Sequence, residues 1–451
     1  MNNVKPKEKE PIRLSDHFTY GRILRFALPS MVMFVFTSIY TVVDGFFISN
    51  YAGKEPFAAV NLIMPFLMIL GTVGFMFGTG GAAIVSKTLG EGDPDRANRY
   101  FSEIVEANIL FGVILSAVGF VLMEPVSLAL GADEAMLPYC VLYGRICAAG
   151  NLAFMLQNTF QSFFVAAEKP HLGLFFTVFS GVTNMVLDWL FVGVFKWGVA
   201  GAAVATVMSQ VVGGVFPIFY FAAKNSSLLS LRPAKIEWKM IAKTSGNGSS
   251  ELMSNISSSI VSIAYNFQLL KFAGSDGVAA YGVLMYVCFI FIAIFIGYSV
   301  GTAPIVGYHY GAGNHAEMHN VLKMSLTMMS VFGVAMLFAA ELLAAPLSKM
   351  YVGYDKGLYD LTVHAFRLFS FSFLVAGVNI YSSSFFTALN NGAISAAISF
   401  LRTLVFQLLS VLLLPLILGL DGIWFANLVA DLGALCVTVY FLVSRRKKYH
   451  Y

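Results

Sequence analysis

The chain carries one sequence plan twice. Tyr51-Ala52-Gly53-Lys54-Glu55-Pro56-Phe57-Ala58-Ala59-Val60 returns 221 positions later as Phe272-Ala273-Gly274-Ser275-Asp276-Gly277-Val278-Ala279-Ala280-Tyr281. The same offset, without a gap, carries Gly80, Ala82, Ile84, Val85, Gly90 and Gly92 onto Gly301, Ala303, Ile305, Val306, Gly311 and Gly313. Arg145 with Ser162-Phe163-Phe164 and Ala166 matches Arg367 with Ser384-Phe385-Phe386 and Ala388, and Gly198, Gly201 and Ala205 match Gly419, Gly422 and Ala426. Such a chain must fold into two like halves, and in membrane proteins built this way the working site is expected between them.

Membrane residence follows from composition. Hydrophobic residues make up 58% of the chain and charged ones 12%, about half the charged share of a soluble globular protein. Six apolar segments per half approach the ~20 residues needed to cross a bilayer. They cover 23–48, 57–85, 103–123, 138–166, 172–194 and 199–223, then 246–271, 278–305, 321–344, 361–388, 393–419 and 422–443. The expected fold is an all-α polytopic membrane protein of twelve transmembrane helices in two pseudo-symmetric six-helix bundles.

Basic residues orient the spans. Lys5, Lys7, Lys9, Arg13, Arg22 and Arg25 precede or open the first, and Arg445, Arg446, Lys447 and Lys448 follow the last. Lys224, Arg232, Lys235, Lys239 and Lys243 lie between the halves, and Lys87, Arg96 and Arg99 follow the second span. The opposite loops hold only Lys54, Lys196, Lys271, Lys349 and Lys356. This bias places both termini in the cytoplasm of a multi-pass plasma-membrane protein. Even span numbers give both halves one orientation, related by an axis along the membrane normal. The domains expected are a tail at 1–22, an N-lobe at 23–223, a cytoplasmic linker at 224–244, a C-lobe at 245–443 and a basic tail at 444–451.

The net charge of +4 reflects this orientation and contact with membrane lipid, not nucleic-acid binding. No small-residue cleavage site follows the first apolar run, so it reads as a retained helix. Cys140, Cys147, Cys288 and Cys436 lack metal-ligand spacing and read as apolar packing residues. Gly90-Glu91-Gly92 lacks the Lys-Ser/Thr of a phosphate loop, no ATP motif is visible, and energy is expected from an ion gradient or from substrate flow. No cofactor, obligatory protein partner or catalytic constellation is expected, and the chain reads as a monomer and not an enzyme.

An ionisable side chain at the bilayer centre costs about 2.5–3.5 kcal/mol on insertion scales, so each needs a reason. Asp44 lies in the outer part of the first span. Asn184 and Asp188 lie at similar depth in the fifth and, four residues apart, share one helix face. Thr206 opens the sixth at the same depth. These four oxygen-bearing residues suit a proton or a small hard cation such as Na+, with no other metal expected. The repeat serves as a control, because Asp44 aligns with Tyr265, Thr206 with Asn427, and Asn184 and Asp188 with the stretch around Val405–Ser410. The fold is duplicated and the acidic pair is not, which favours a functional role over helix packing. Arg145 and Arg367 occur in both copies and read as helix ties. Arg402 and Asp431 are expected to pair. Glu251, in the inner third of the seventh span, is open between a second cation or substrate site and a solvated carboxylate. His364, near an outer end, is assigned no role.

With these residues assembled, the chain resembles the multidrug and toxic compound extrusion (MATE) family, most closely its bacterial MepA-like and DinF-like branches. The resemblance rests on Pro29 fifteen residues before Asp44, the Ala-Gly…Ala-Ala segments of both halves, and the Leu89-Gly90-Glu91-Gly92-Asp93 and Tyr310-Gly311-Ala312-Gly313-Asn314 loops. Ser250-Glu251 and the Asn184…Asp188 pair point to those branches. It implies two bundles in a V around a central cavity, and antiport of cationic or amphiphilic small molecules against H+ or Na+. It also implies a coupling site whose pattern falls on Asp44, Asn184, Asp188 and Thr206. Branches with a second-lobe sodium site pair a seventh-span Glu with a tenth-span Asp; here Glu251 is present but the tenth span offers Asn379. The rival reading is a flippase for a lipid-linked precursor, whose pyrophosphate headgroup would call for several cavity cations; this chain has few.

Overall fold

The computed structural model describes residues 12–451, and among these the regular structure is helical throughout. The first three spans are Tyr20–Ala52, Glu55–Gly90 and Pro94–Ala129, and the fourth is a pair, Leu137–Ala149 and Asn151–Ala166, bent by 53°. The fifth and sixth are Pro170–Val194 and Gly198–Ala222. One 63-residue helix, Ser249–Gly311, breaks at Gly274 (φ 61°) into the seventh and eighth. His315–Val352 is the ninth, Lys356–Ser370 and Phe373–Ala388 form the tenth with a 49° bend, and Gly392–Leu418 and Leu420–Tyr449 complete the set. Each half thus has six spans, as hydropathy indicates.

The backbone repeats as the sequence does. Gly53 and Gly274, Gly92 and Gly313, and Gly198 and Gly419 all take positive φ, a region in which a Cβ would clash with the following carbonyl. Asp93 accepts the Arg96 N–H at 3.0 Å and Asn314 the Glu317 N–H at 3.2 Å, so the third and ninth spans start with matching caps. These caps explain why the third span begins at Pro94 and not at 103, since hydropathy finds the apolar stretch of a helix while the cap sets its start.

The stretch expected as linker is less open than its composition indicates. Its Ser230 N–H donates to Asn98 at 2.6 Å and its Arg232 N–H to Ser102 at 2.9 Å, which fastens it along the third span. A short helix, Trp238–Asn247, then buries Met240 and Ile241 before the seventh span begins.

The two halves meet at the end that carries the termini. A side chain on Gly297 would overlap the Ser30–Met31 backbone, one on Gly90 the Tyr308 carbonyl, and one on Gly311 the Lys87 carbonyl. Small residues let helix backbones approach where apolar burial cannot drive association. Asp44 lies fourteen residues beyond Ser30, roughly 20 Å along the helix axis from this seam.

Candidate cation-binding site

Gly181 brings the first and fifth spans together. A methyl at this position would run into the rings of Phe36 and Tyr40. Tyr40 and Asp44 lie one turn apart on the first span, and Gly181, Asn184 and Asp188 occupy i, i+3 and i+7 on the fifth. The close approach at Gly181 therefore sets the Asp44 carboxylate against Asn184 and Asp188. Asp188 directly precedes a wide π-helical turn, Trp189–Val194, and Asp44 lies one helical turn before another, Ile48–Ala52, a distortion common at functional sites.

Burial here is nearly complete: Asp44 is 8% exposed, Asn184 1% and Asp188 0%. Asp44 Oδ1, Asn184 Oδ1, both Asp188 carboxylate oxygens and Thr206 Oγ are buried without a hydrogen-bond partner. Leaving a buried polar group unpaired costs about 1–3 kcal/mol, and more for a charged one. All five atoms are oxygens that can accept, so the arrangement fits a proton or a hard monovalent cation held among carboxylate, amide and hydroxyl oxygens. Among the described residues no group of three or more His, Cys, Asp or Glu side chains could hold a metal.

Tyr40, Tyr143 and Cys147 stand around the carboxylates. Sequence reasoning did not single them out for this site. Tyr40 was within reach, because it lies one turn before Asp44; Tyr143 and Cys147 come from the outer arm of the bent fourth span, and no local signal marks them. A polar ladder joins the turn that carries Thr206 to Ser180, one turn before Asn184, and to Gln157. Ser209 Oγ donates to the Thr206 carbonyl at 2.8 Å, Ser180 Oγ to the Ser209 carbonyl at 2.6 Å, and Gln157 Nε2 to Ser180 Oγ at 3.3 Å.

The remaining candidates lie apart. Glu251 is half-buried in the first turn of the seventh span. Asn379 is committed elsewhere, donating to the Asp431 carbonyl and accepting from Thr438, both at 2.9 Å. Arg145 lies 3.4 Å from Glu124 and Arg367 3.7 Å from Glu341, so each ties the third span of its half to the fourth. Arg402 and Asp431 pair at 2.6 Å, and His364 bonds Asp421 at 2.8 Å. The four cysteines are free thiols; Cys140 and Cys288 are buried, and Cys436 is exposed.

The MatE family profile matches residues 29–190 and 252–412, one stretch in each half. The multidrug export protein MepA of Staphylococcus haemolyticus is 22% identical over 445 residues, covering 98% of this chain and 97% of its own. Among solved structures, a MATE in complex with MaL6 superposes with a TM-score of 0.92 at 20% identity, over 98% of this chain and 99% of the other. A multidrug resistance MATE family transporter of the MOP superfamily, in its outward-facing conformation, superposes at 0.91 with 20% identity, over 99% and 100%. At that identity the superpositions establish the fold.

Proposed function

Because this chain belongs to the MatE family, a family of transporters, we propose that it is a secondary antiporter. It expels cationic or amphiphilic small molecules across the plasma membrane in exchange for H+ or Na+. The observation that carries the reading is the set of five buried, unpartnered oxygens on Asp44, Asn184, Asp188 and Thr206. Export of drugs is named for the MepA relative, and the absence of an ATP motif in the sequence supports an ion gradient as the energy source.

The coupling follows from charge. Two carboxylates this close in a low dielectric resist double ionisation, so they share a proton or a cation. An ion arriving from outside neutralises their repulsion and lets the first span repack against the fifth. That repacking opposes substrate held between the N-lobe (23–223) and the C-lobe (245–443). In this reading both termini are cytoplasmic, the chain works as a monomer in contact with membrane lipid, and Glu251 serves the substrate. Ion and substrate then antagonise each other's binding. Two measurements test this: efflux of a fluorescent organic cation from vesicles under separate pH and sodium gradients, and equilibrium binding of that cation across pH and sodium. Efflux driven by one gradient and binding weakened by the same ion are expected. Binding indifferent to both ions overturns the mechanism.

A further inference from the structure

The segment before the first span, residues 12–19, lies across the end where the lobes meet and is bonded to both. On the N-lobe side the Leu14 N–H donates to Glu168 Oε1 at 2.6 Å. On the C-lobe side the Phe18 N–H donates to Glu317 Oε1 at 2.8 Å, and Asn320 Nδ2 donates to the Phe18 carbonyl at 3.0 Å. Glu317 and Asn320, three apart on the ninth span, thereby hold both main-chain groups of one residue. His17 Nδ1 adds a contact to Glu317 Oε2 at 2.6 Å. Leu14 and Phe18 are 0% and 1% exposed, so the segment is anchored by apolar side chains as well as by charge-assisted bonds.

The internal repeat argues that these acceptors exist for the strap. At the 221-residue offset Glu317 corresponds to Arg96 and Asn320 to Arg99. Glu168, with φ 59°, corresponds to Asn390, with φ 57°. A carboxylate needed to cap or pack these helix starts would serve equally in both copies. It is present only where the N-terminal segment lies. The strap also covers His309, which is buried with both ring nitrogens unpartnered and meets the Phe18 ring edge-on at 6.4 Å. Those nitrogens gain water when the strap lifts, which offsets part of the cost of breaking its bonds.

We propose that residues 12–19 are a strap that locks the two lobes together at the terminal end and must release before that end opens. The proposal rests on the reading of the chain as an alternating-access transporter and not on the identity of the coupling ion.

The test needs no transport. Ser86 is fully buried and packs against Gly307 of the eighth span across the seam, so in full-length Ser86→Cys/Cys436→Ser protein a small maleimide reports separation of the lobes. Glu168→Gln and Glu317→Gln each remove a charged acceptor and are expected to speed labelling roughly tenfold, the effect of losing one charge-assisted bond on a two-state population. Asn320→Ala, which removes the donor to the Phe18 carbonyl and to Glu317 Oε1 but leaves both glutamates in place, decides the matter if a glutamate variant fails to fold. Faster labelling in folded variants supports the strap; labelling unchanged or slower in all of them overturns it.

Discussion

The two lobes place different chemistry at equivalent positions of one scaffold. In the N-lobe, Asp44, Asn184, Asp188 and Thr206 bring two carboxylates together, and five buried oxygens have no partner. In the C-lobe, Asp44 is replaced by Tyr265, whose ring stacks on Tyr281 at 4.8 Å. Thr206 is replaced by Asn427, which accepts from Gln407 at 2.8 Å. Gly181 and Gln210 are replaced by Arg402 and Asp431, an ion pair at 2.6 Å. One Asp431 oxygen remains without a partner, but its charge is balanced by a guanidinium that cannot diffuse away. In the proposed function the N-lobe site reaches the same balance with an exchangeable cation. Duplication supplies two equal frames, and under the proposed function a few side chains then decide which lobe answers to ions and which stays fixed.

The largest effect is expected at the first carboxylate. Asp44→Asn should leave insertion intact and abolish ion-driven efflux, because it fixes that position in a form like the protonated acid; Asp188→Asn should behave alike. Vesicle efflux normalised to expression checks this, and concentrative efflux at the normal rate would remove the asymmetry between the lobes.

Arg402→Met should come next. It strands Asp431 in the C-lobe, and breaking a buried pair in this way costs about 3–5 kcal/mol. Melting of the detergent-solubilised protein should fall sharply and recover in Arg402→Met/Asp431→Asn. If the single variant melts like the parent, the C-lobe pair is not the balanced counterpart described above.

A smaller change probes the spacing. Gly181→Ala puts a methyl against Phe36 and Tyr40, an overpacking of about 1–3 kcal/mol that should separate Asp44 from Asp188 and weaken the ion's effect on substrate binding. Equilibrium binding across pH and sodium reads it; full antagonism would show that Gly181 does not set the approach.

The smallest effect concerns a feature the lobes share. The Arg145–Glu124 contact is solvent-accessible, with side chains 37% and 54% exposed, so Arg145→Lys should cost under ~1 kcal/mol and lower yield without altering ion dependence. A changed ion dependence would mean that the duplicated arginines do more than tie helices.

Much of this was legible in the sequence because the signals are one-dimensional. Membrane crossing needs about twenty apolar residues in a row, and duplication is an offset between two stretches, so the twelve spans, the two halves and the pseudo-two-fold relation follow from residue order alone. The cost of burying charge drew attention to Asp44, Asp188 and the Arg402–Asp431 pair, and helix periodicity put Asn184 and Asp188 on one face. Helix starts such as Pro94, and the helix Trp238–Asn247 that begins in the expected linker and runs past its boundary at 244, escaped because caps and packing, not hydropathy, determine them. Which buried oxygens go unpartnered is likewise a tertiary property, since it depends on what the neighbouring helix offers. Asp44 meets Asp188 across 144 positions of chain because Gly181 has no side chain. Asn379 is spent on Asp431 and Thr438, and Leu14 and Phe18 lie on glutamates far along the sequence. Residue order determined the frame and its candidate charges; only the packing of helices against one another decided which of those charges were satisfied.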